Sequence, residues 1–319
     1  MRHGPGMELW VAMGVKPNGR VDEPLRPALR AIDLDTGAVG DVLRWVSPAA
    51  HVASEAEHQE FTAGWVEGGA LWQPTRSELL RIDLASRQIV KVVDHPWFHD
   101  LHAVAPWRGG LAVASTGVEA ILALDASGRL VETWDLGGRL ARLAPDTDVR
   151  RWPFDATKPR TIHPNHLWPD GERLWVTELE TRRCRSLDGQ VAPLPGPPHD
   201  GRVREGRWWF TTVDGRVIGL NPVSHVVEVE LDVPALEARP GLPGWCRAVE
   251  VVGSRLYVGM TMLRSGRHRE WLRRALRGED GEKLPTRVLE IDLRTRTVLR
   301  SFEVGNAAGG TIYGLYAIA

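Results

Sequence analysis

The chain has 319 residues, 40 basic and 41 acidic, with a formal net charge of −1. That balance excludes a strong field toward nucleic acid or an anionic membrane surface. With 43% hydrophobic and 25% charged residues the composition is globular, not disordered, and no run reaches the roughly 20 apolar residues of a membrane helix. The start, Met1-Arg-His-Gly-Pro-Gly-Met7, lacks the apolar stretch of a secretory signal, so a cytoplasmic protein is expected. Two cysteines, Cys184 and Cys246, are too few for a disulfide framework.

Taken in chain order, one pattern recurs. An apolar strand ends in Asp, and a turn and a second strand follow. The copies are residues 29–33, 79–83, 121–125, 184–188, 217–221 (with Asn221 in place of Asp) and 288–292. The terminal side chain is suited to accept backbone N–H groups of the turn. A second apolar strand precedes each copy, at 8–11, 69–72, 110–113, 173–176, 207–210 and 255–258. A further apolar segment lies earlier still, at 63–66, 102–105, 166–168, 201–203 and 247–251. Each unit reads as four short strands ordered from inner to outer, which is a propeller blade. The inner strand missing before Glu8 is supplied by residues 310–319, which would close the ring by pairing the two chain ends and so cover its raw edges. The expected architecture is all-β: a six-bladed β-propeller, one domain over residues 1–319. The 14 tryptophans become packing between blades. Two segments break the rhythm. Residues 136–164 form a long loop suited to fold over one face. Residues 263–284 carry a short basic helical insertion, either a solvated excursion or an anion-binding edge.

Five of the 11 histidines are not scattered. His99 and His102, His163 and His166, and His199 sit at the starts of three successive inner strands, which open on one face around the central channel. Imidazoles meeting there suit a divalent metal (Zn, Fe, Mn or Ca), with a position left open for water or substrate. The trio expected to bind it is His99, His163 and His199. Strand alternation turns His102 and His166 the other way, into supporting or substrate-binding roles, unless the loops curl. Asp100 and Asp200 directly follow two of the ligands. A metal-free polar pocket made of the same residues is the competing reading. Cys246, near the equivalent place in the next unit, reads as a buried thiol.

The stretch Ile162-His-Pro-Asn-His-Leu-Trp-Pro-Asp-Gly-Glu-Arg-Leu-Trp-Val-Thr-Glu178 resembles the blade signature of the regucalcin and gluconolactonase propellers. That resemblance implies metal-dependent lactone hydrolysis, with Asn165 and Asp200 at the matching metal positions. The place of the family's acidic ligand is taken by Gly310-Thr-Ile-Tyr313, which has no carboxylate. A second resemblance spans residues 95–300. His99-Asp-Leu101, His163-Pro-Asn-His-Leu167, Pro198-His-Asp-Gly-Arg202, Arg247-Ala-Val249 and the segment 257–264 are similar to motifs of an uncharacterised bacterial group of six-bladed propellers. It implies a polar site of His99, His163, Asn165, His199, Arg202, Arg247 and Arg264, and no reaction.

The expectation is therefore a metal-dependent enzyme acting on a small anionic molecule at the channel mouth. Asp100, Asp200 and Asn165 would act on the water or the ligands. Arg202, Arg247 and Arg264, with His102 and His166, would hold the substrate. Hydrolysis in the lactonase sense comes first. Isomerase, lyase and oxygenase chemistry use the same parts, and a non-catalytic binding or scaffold propeller is the alternative. A small molecule is the expected partner, with neither nucleic acid nor membrane.

Overall fold

The computed structural model describes all residues except 1–5, 21, 50–57, 151, 154–160, 238, 264–281 and 306–308. The described strands make six four-stranded antiparallel sheets, the six blades of a β-propeller. Blade 1 joins the chain ends: β24 (Gly310–Ile318) is innermost, then β1 (Glu8–Val15), β2 (Arg26–Asp33) and β3 (Val39–Arg44). Blade 2 runs β4 (Trp65–Glu67), β5 (Ala70–Pro74), β6 (Leu79–Asp83) and β7 (Gln88–Val93). Blade 3 runs β8 (Leu101–Trp107), β9 (Gly110–Ser115), β10 (Ala120–Leu124) and β11 (Leu130–Asp135). Blade 4 runs β12 (Pro164–Asp170), β13 (Arg173–Glu178), β14 (Arg183–Ser186) and β15 (Val191–Pro193). Blade 5 runs β16 (Pro198–Arg204), β17 (Arg207–Thr212), β18 (Arg216–Leu220) and β19 (Val227–Asp232), followed by the short helix α1 (Val233–Glu237). Blade 6 runs β20 (Trp245–Val252), β21 (Arg255–Thr261), β22 (Arg287–Asp292) and β23 (Thr297–Glu303). The expected closure holds: β24 pairs with β1 from Glu8 opposite Ile318 to Val15 opposite Gly310. No helix among the described residues is long and apolar enough to cross a membrane.

The repeat does what its chemistry predicts. Asp33 Oδ1 accepts the amides of Asp35 and Thr36 at 3.0 and 2.7 Å. Asp292 does the same for Arg294 and Thr295, and Asn221 for Val223 and Ser224. Burial then follows position in the blade. The second strands are almost wholly buried, whereas outer strands such as β7 and β23 alternate between exposed and covered residues. Between blades 4 and 5 the indoles of Trp168, Trp175 and Trp208 pack with centroids 4.7–6.2 Å apart. Edge-to-face and offset pairs of this kind add to their area burial.

The described residues 136–150 of the long loop fold back onto the approach to blade 3. The Val149 amide donates to Pro96 O at 2.8 Å, and Arg150 pairs with Asp94 at 2.6 Å. Most of the basic insertion, residues 264–281, lies outside the described residues, and with it Arg264. Its flanks are tied down: the Leu242 amide donates to Glu282 O, and the Leu284 amide donates to Leu242 O.

Candidate active site

The inner strands break their own ladders at one end of the channel. In blade 3, Leu101 pairs with Ser115 and Ala103 with Ala114, so His102 is left over. In blade 4 the skipped residues are Asn165 and His166, in blade 5 His199 and Asp200, and in blade 6 Arg247 and Ala248. In blade 1 the skipped residue of β24 is Tyr313. Bulges re-aim side chains and free residues from pairing. Asp100, His163 and Ala248 take left-handed backbone there, with φ of 51°, 53° and 53°, at a conformational cost that non-glycine residues bear mostly at functional sites. Freed amides are satisfied from the neighbouring strand. Thr177 Oγ1 accepts the His166 N–H, Thr211 Oγ1 the Asp200 N–H, and Ser115 Oγ the His99 N–H.

Several of these side chains, with His163 beside them, meet around the axis. His102 and His163 rings lie edge to face at 4.9 Å. Tyr313 from blade 1 is 6.4 Å from His102 and 5.9 Å from His199, although neither of those blades is its neighbour in the ring. The Arg247 guanidinium sits between two rings, 4.6 Å from Tyr313 and 5.1 Å from Trp245. Blade 2, whose inner strand has three residues, contributes Arg76 from the turn between β5 and β6. Arg76 pairs with Glu60 at 3.3 Å and Asp100 at 3.2 Å, all three side chains under 10% exposed. The two carboxylates hold its guanidinium charged against the cost of burial.

His102 is the best-oriented group. Asn165 Nδ2 donates to Pro198 O at 3.0 Å, which fixes the amide so that its Oδ1 faces the imidazole. That oxygen is 2.8 Å from His102 Nδ1, which must therefore be the donor. That contact puts a proton on Nδ1. Asp100 Oδ1 lies 3.6 Å from Nε2, placed to stabilise the imidazolium once it forms.

The predicted trio is not assembled. His99 is fully buried and points away from the axis, because its Nε2 donates to Trp152 O at 2.9 Å in the loop over blade 3. The alternation rule chose the wrong member of the pair: the left-handed Asp100 and the bulge at His102 reverse the side-chain direction. His163 and His199 do reach the mouth, half-buried. Among the described residues no three His, Cys, Asp or Glu side chains come together as a metal ion requires. His166 lies between blades, its Nδ1 3.1 Å from Asp200 Oδ1 and its ring stacked on Trp168 at 5.8 Å. Burial pushes the His166 imidazole toward its neutral form, against the pull of Asp200. Arg202 is a stay across the channel rather than a substrate clamp. Its guanidinium donates to Leu315 O at 2.9 Å and to Gly64 O at 3.4 Å, and lies over the Tyr316 ring at 5.0 Å. Cys246 is a buried thiol whose ionisation burial makes harder, as expected.

Three contributors were missed in the sequence: Arg76, Tyr313 and Glu119. Glu119 Oε1 accepts the amides of Thr161, Ile162 and His163 at 3.0, 2.7 and 3.0 Å, seating the loop that delivers His163. The hydroxyl residues at the ends of β9, β13 and β17 were a legible signal for the bulges, since they recur at equivalent places.

The class this architecture defines is the six-bladed propeller. No family model matches the sequence, and no curated protein does, so the regucalcin-like resemblance has no family-level support. Solved structures do match in shape. A protein of unknown function from Bacteroides caccae superposes with a TM-score of 0.62 at 13% identity, covering 98% of this chain and 99% of that one. A chain of a nidogen/laminin complex gives 0.61 at 12%, covering 98% and 99%. A streptogramin B lyase gives 0.51 at 12%, covering 95% and 89%. Identities this low show the fold alone.

Proposed function

We propose that the channel mouth is the active site of a hydrolase for small carboxylated esters or lactones, with His102 as the general base. The observation that carries this reading is the orientation of His102, with Nδ1 held by Asn165 and Nε2 turned toward the Asp100 carboxylate at 3.6 Å. A positioned base of this kind contributes about 10²–10⁴-fold. The groups reaching solvent around it, His163, His199 and Arg247, are basic or able to become so, which favours an anionic substrate. Arg247, held between two aromatic faces, is preorganised to meet a carboxylate. Of the two versions of the sequence reading, the metal-free pocket is favoured, because His99 Nε2 is engaged by a carbonyl. The test is a panel of carboxylated lactones and esters assayed before and after dialysis against a chelator. Turnover that survives chelation and falls at least about 100-fold in His102→Ala is expected. Products carrying a new C=C bond would move the class to elimination, and no turnover with any member would leave a binding propeller.

A further inference from the structure

We propose that a pocket between blades 2 and 3, at the opposite end of the strands from the channel mouth, binds a neutral saccharide. Strands β8 and β12 carry their bulges at the mouth and end at Trp107 and Asp170. The pocket lies at those far ends. Its walls are β5 and β7 of blade 2, the β8–β9 and β10–β11 turns of blade 3, and the β12–β13 turn of blade 4. Its volume is about 570 Å³, within the roughly 300–1,000 Å³ of small-molecule sites. Gly128, at φ 97°, lets the β10–β11 turn close against blade 2, since a Cβ there would stand 3.0 Å from Val93 Cγ1.

The ligand class follows from the chemistry of the walls. Buried Val93, Leu111 and Leu124 and the half-buried indoles of Trp72 and Trp107 make the apolar part. Charges of both signs share it: Glu67, Asp125 and Glu172 against Lys91 and Arg108. A wholly apolar ligand would strip water from these groups and return no hydrogen bond. An anion meets Glu67 and Glu172, which are exposed and make no ion pair or side-chain hydrogen bond with a described residue. An organic cation finds its place over the Trp107 ring taken, because the Arg108 guanidinium lies there at 5.0 Å, itself paired with Glu132 at 3.2 Å. A polyol avoids all three conflicts. Its hydroxyls donate to Glu67 and Glu172 and accept from Lys91, which spends two of its three donors on Ala126 O and Ser127 O. Arg108 likewise has donors beyond the one given to Glu132. The C–H face of a sugar ring meets an indole, a side chain with an apolar body and a polar tip.

Titration calorimetry on the full chain, with tryptophan fluorescence beside it, tests the assignment. The probes are glucose, galactose, N-acetylglucosamine, maltose, cellobiose and lactose, with tetramethylammonium and inorganic phosphate as charged controls. At least one sugar is expected to bind with a Kd of about 1 mM or tighter. Glu67→Ala/Glu172→Ala is expected to weaken that binding at least about tenfold and to unfold at the parent's temperature, because both side chains are exposed and unpaired. Ala126→Trp, on an exposed turn at the edge of the pocket, is expected to abolish binding by filling it. His102→Ala, at the other end of the strands, is expected to bind the sugar as the parent does. No sugar bound with a Kd below about 10 mM, or binding of a charged control in place of every sugar, overturns the assignment. Sugar binding unchanged in either pocket variant, or lost only in His102→Ala, puts the sugar elsewhere and overturns it too.

Discussion

Replacing Arg76 by Met tests the charge economy of the channel. Arg76 is the cation between two carboxylates, 3.3 Å from Glu60 and 3.2 Å from Asp100, whose side chains are 0% and 1% exposed. Removing one partner of a buried pair leaves an uncompensated charge and costs about 3–5 kcal/mol. Here two carboxylates lose a shared partner at once, while Asp100 keeps His102 at 3.6 Å, so at pH 7 a loss within that range is expected. That is a large share of the roughly 5–15 kcal/mol that holds a domain together. The loss should depend on pH with a definite sign. In the variant both acids are raised above their unfolded values of about 4, so the folded chain binds more protons and its relative stability increases as pH falls toward that range. Adding Glu60→Gln removes one of the two stranded charges and should recover part of the loss. Urea unfolding of parent, Arg76→Met and Arg76→Met/Glu60→Gln at pH 7 and pH 5 measures all of this. A loss below about 1 kcal/mol, or one equal at both pH values, would show that solvent in the channel screens these charges and would refute the reasoning.

Other consequences follow from single contacts. A Cβ on Gly117 would stand 1.8 Å from His99 Nδ1, so Gly117→Ala should cost about 3 kcal/mol, the upper end for overpacking. Pairing it with His99→Ala should cost less than the sum of the two, because the clash disappears; thermal unfolding of the four proteins reads the coupling. Trp208→Ala should cost about 3–5 kcal/mol by opening the aromatic packing between blades 4 and 5. Burial holds His166 below the usual 6.5, and His95 is shifted the same way by burial and Arg150. Below that pH the unfolded chain takes up protons that the folded chain refuses. Stability should therefore fall as pH drops from about 7 toward 5.5, by at most about 1.4 kcal/mol per pH unit for each group. His166→Gln should flatten this slope in urea melts; an unchanged slope would remove His166 from the account.

The ring was legible because its signals are local. Asp33, Asp83, Asp125, Asn221 and Asp292 each accept hydrogen bonds from the residues just after them, and that need is visible in five or six letters. The alternation of β7 and β23 is equally local. Which residues share the channel mouth was legible in part: His163, His199, Asn165 and Arg247 are there. Period-two reasoning failed at His99 and His102 because a bulge shifts the phase by one residue, and the choice of backbone at Asp100 cannot be read from its side chain. Arg76 was hidden for another reason. It stands on a turn between second and third strands, as Glu119 does in blade 3, and it answers to partners 16 and 24 residues away. Tyr313 was read only as part of the closing strand.

The bulges separate two tasks that most strands must combine. A paired residue in an inner strand serves both ladder and neighbouring blade, so its replacement disturbs the ring. His102, His199, Arg247 and Tyr313 stand outside the ladder count, and Thr177 and Thr211 accept inner-strand amides at the bulges of blades 4 and 5 whatever side chain those residues carry. Each bulge is thus a socket. A different set of side chains could be fitted at the axis with the six blades left as they are, and one scaffold could be drawn toward new chemistry by a handful of exchanges confined to those positions.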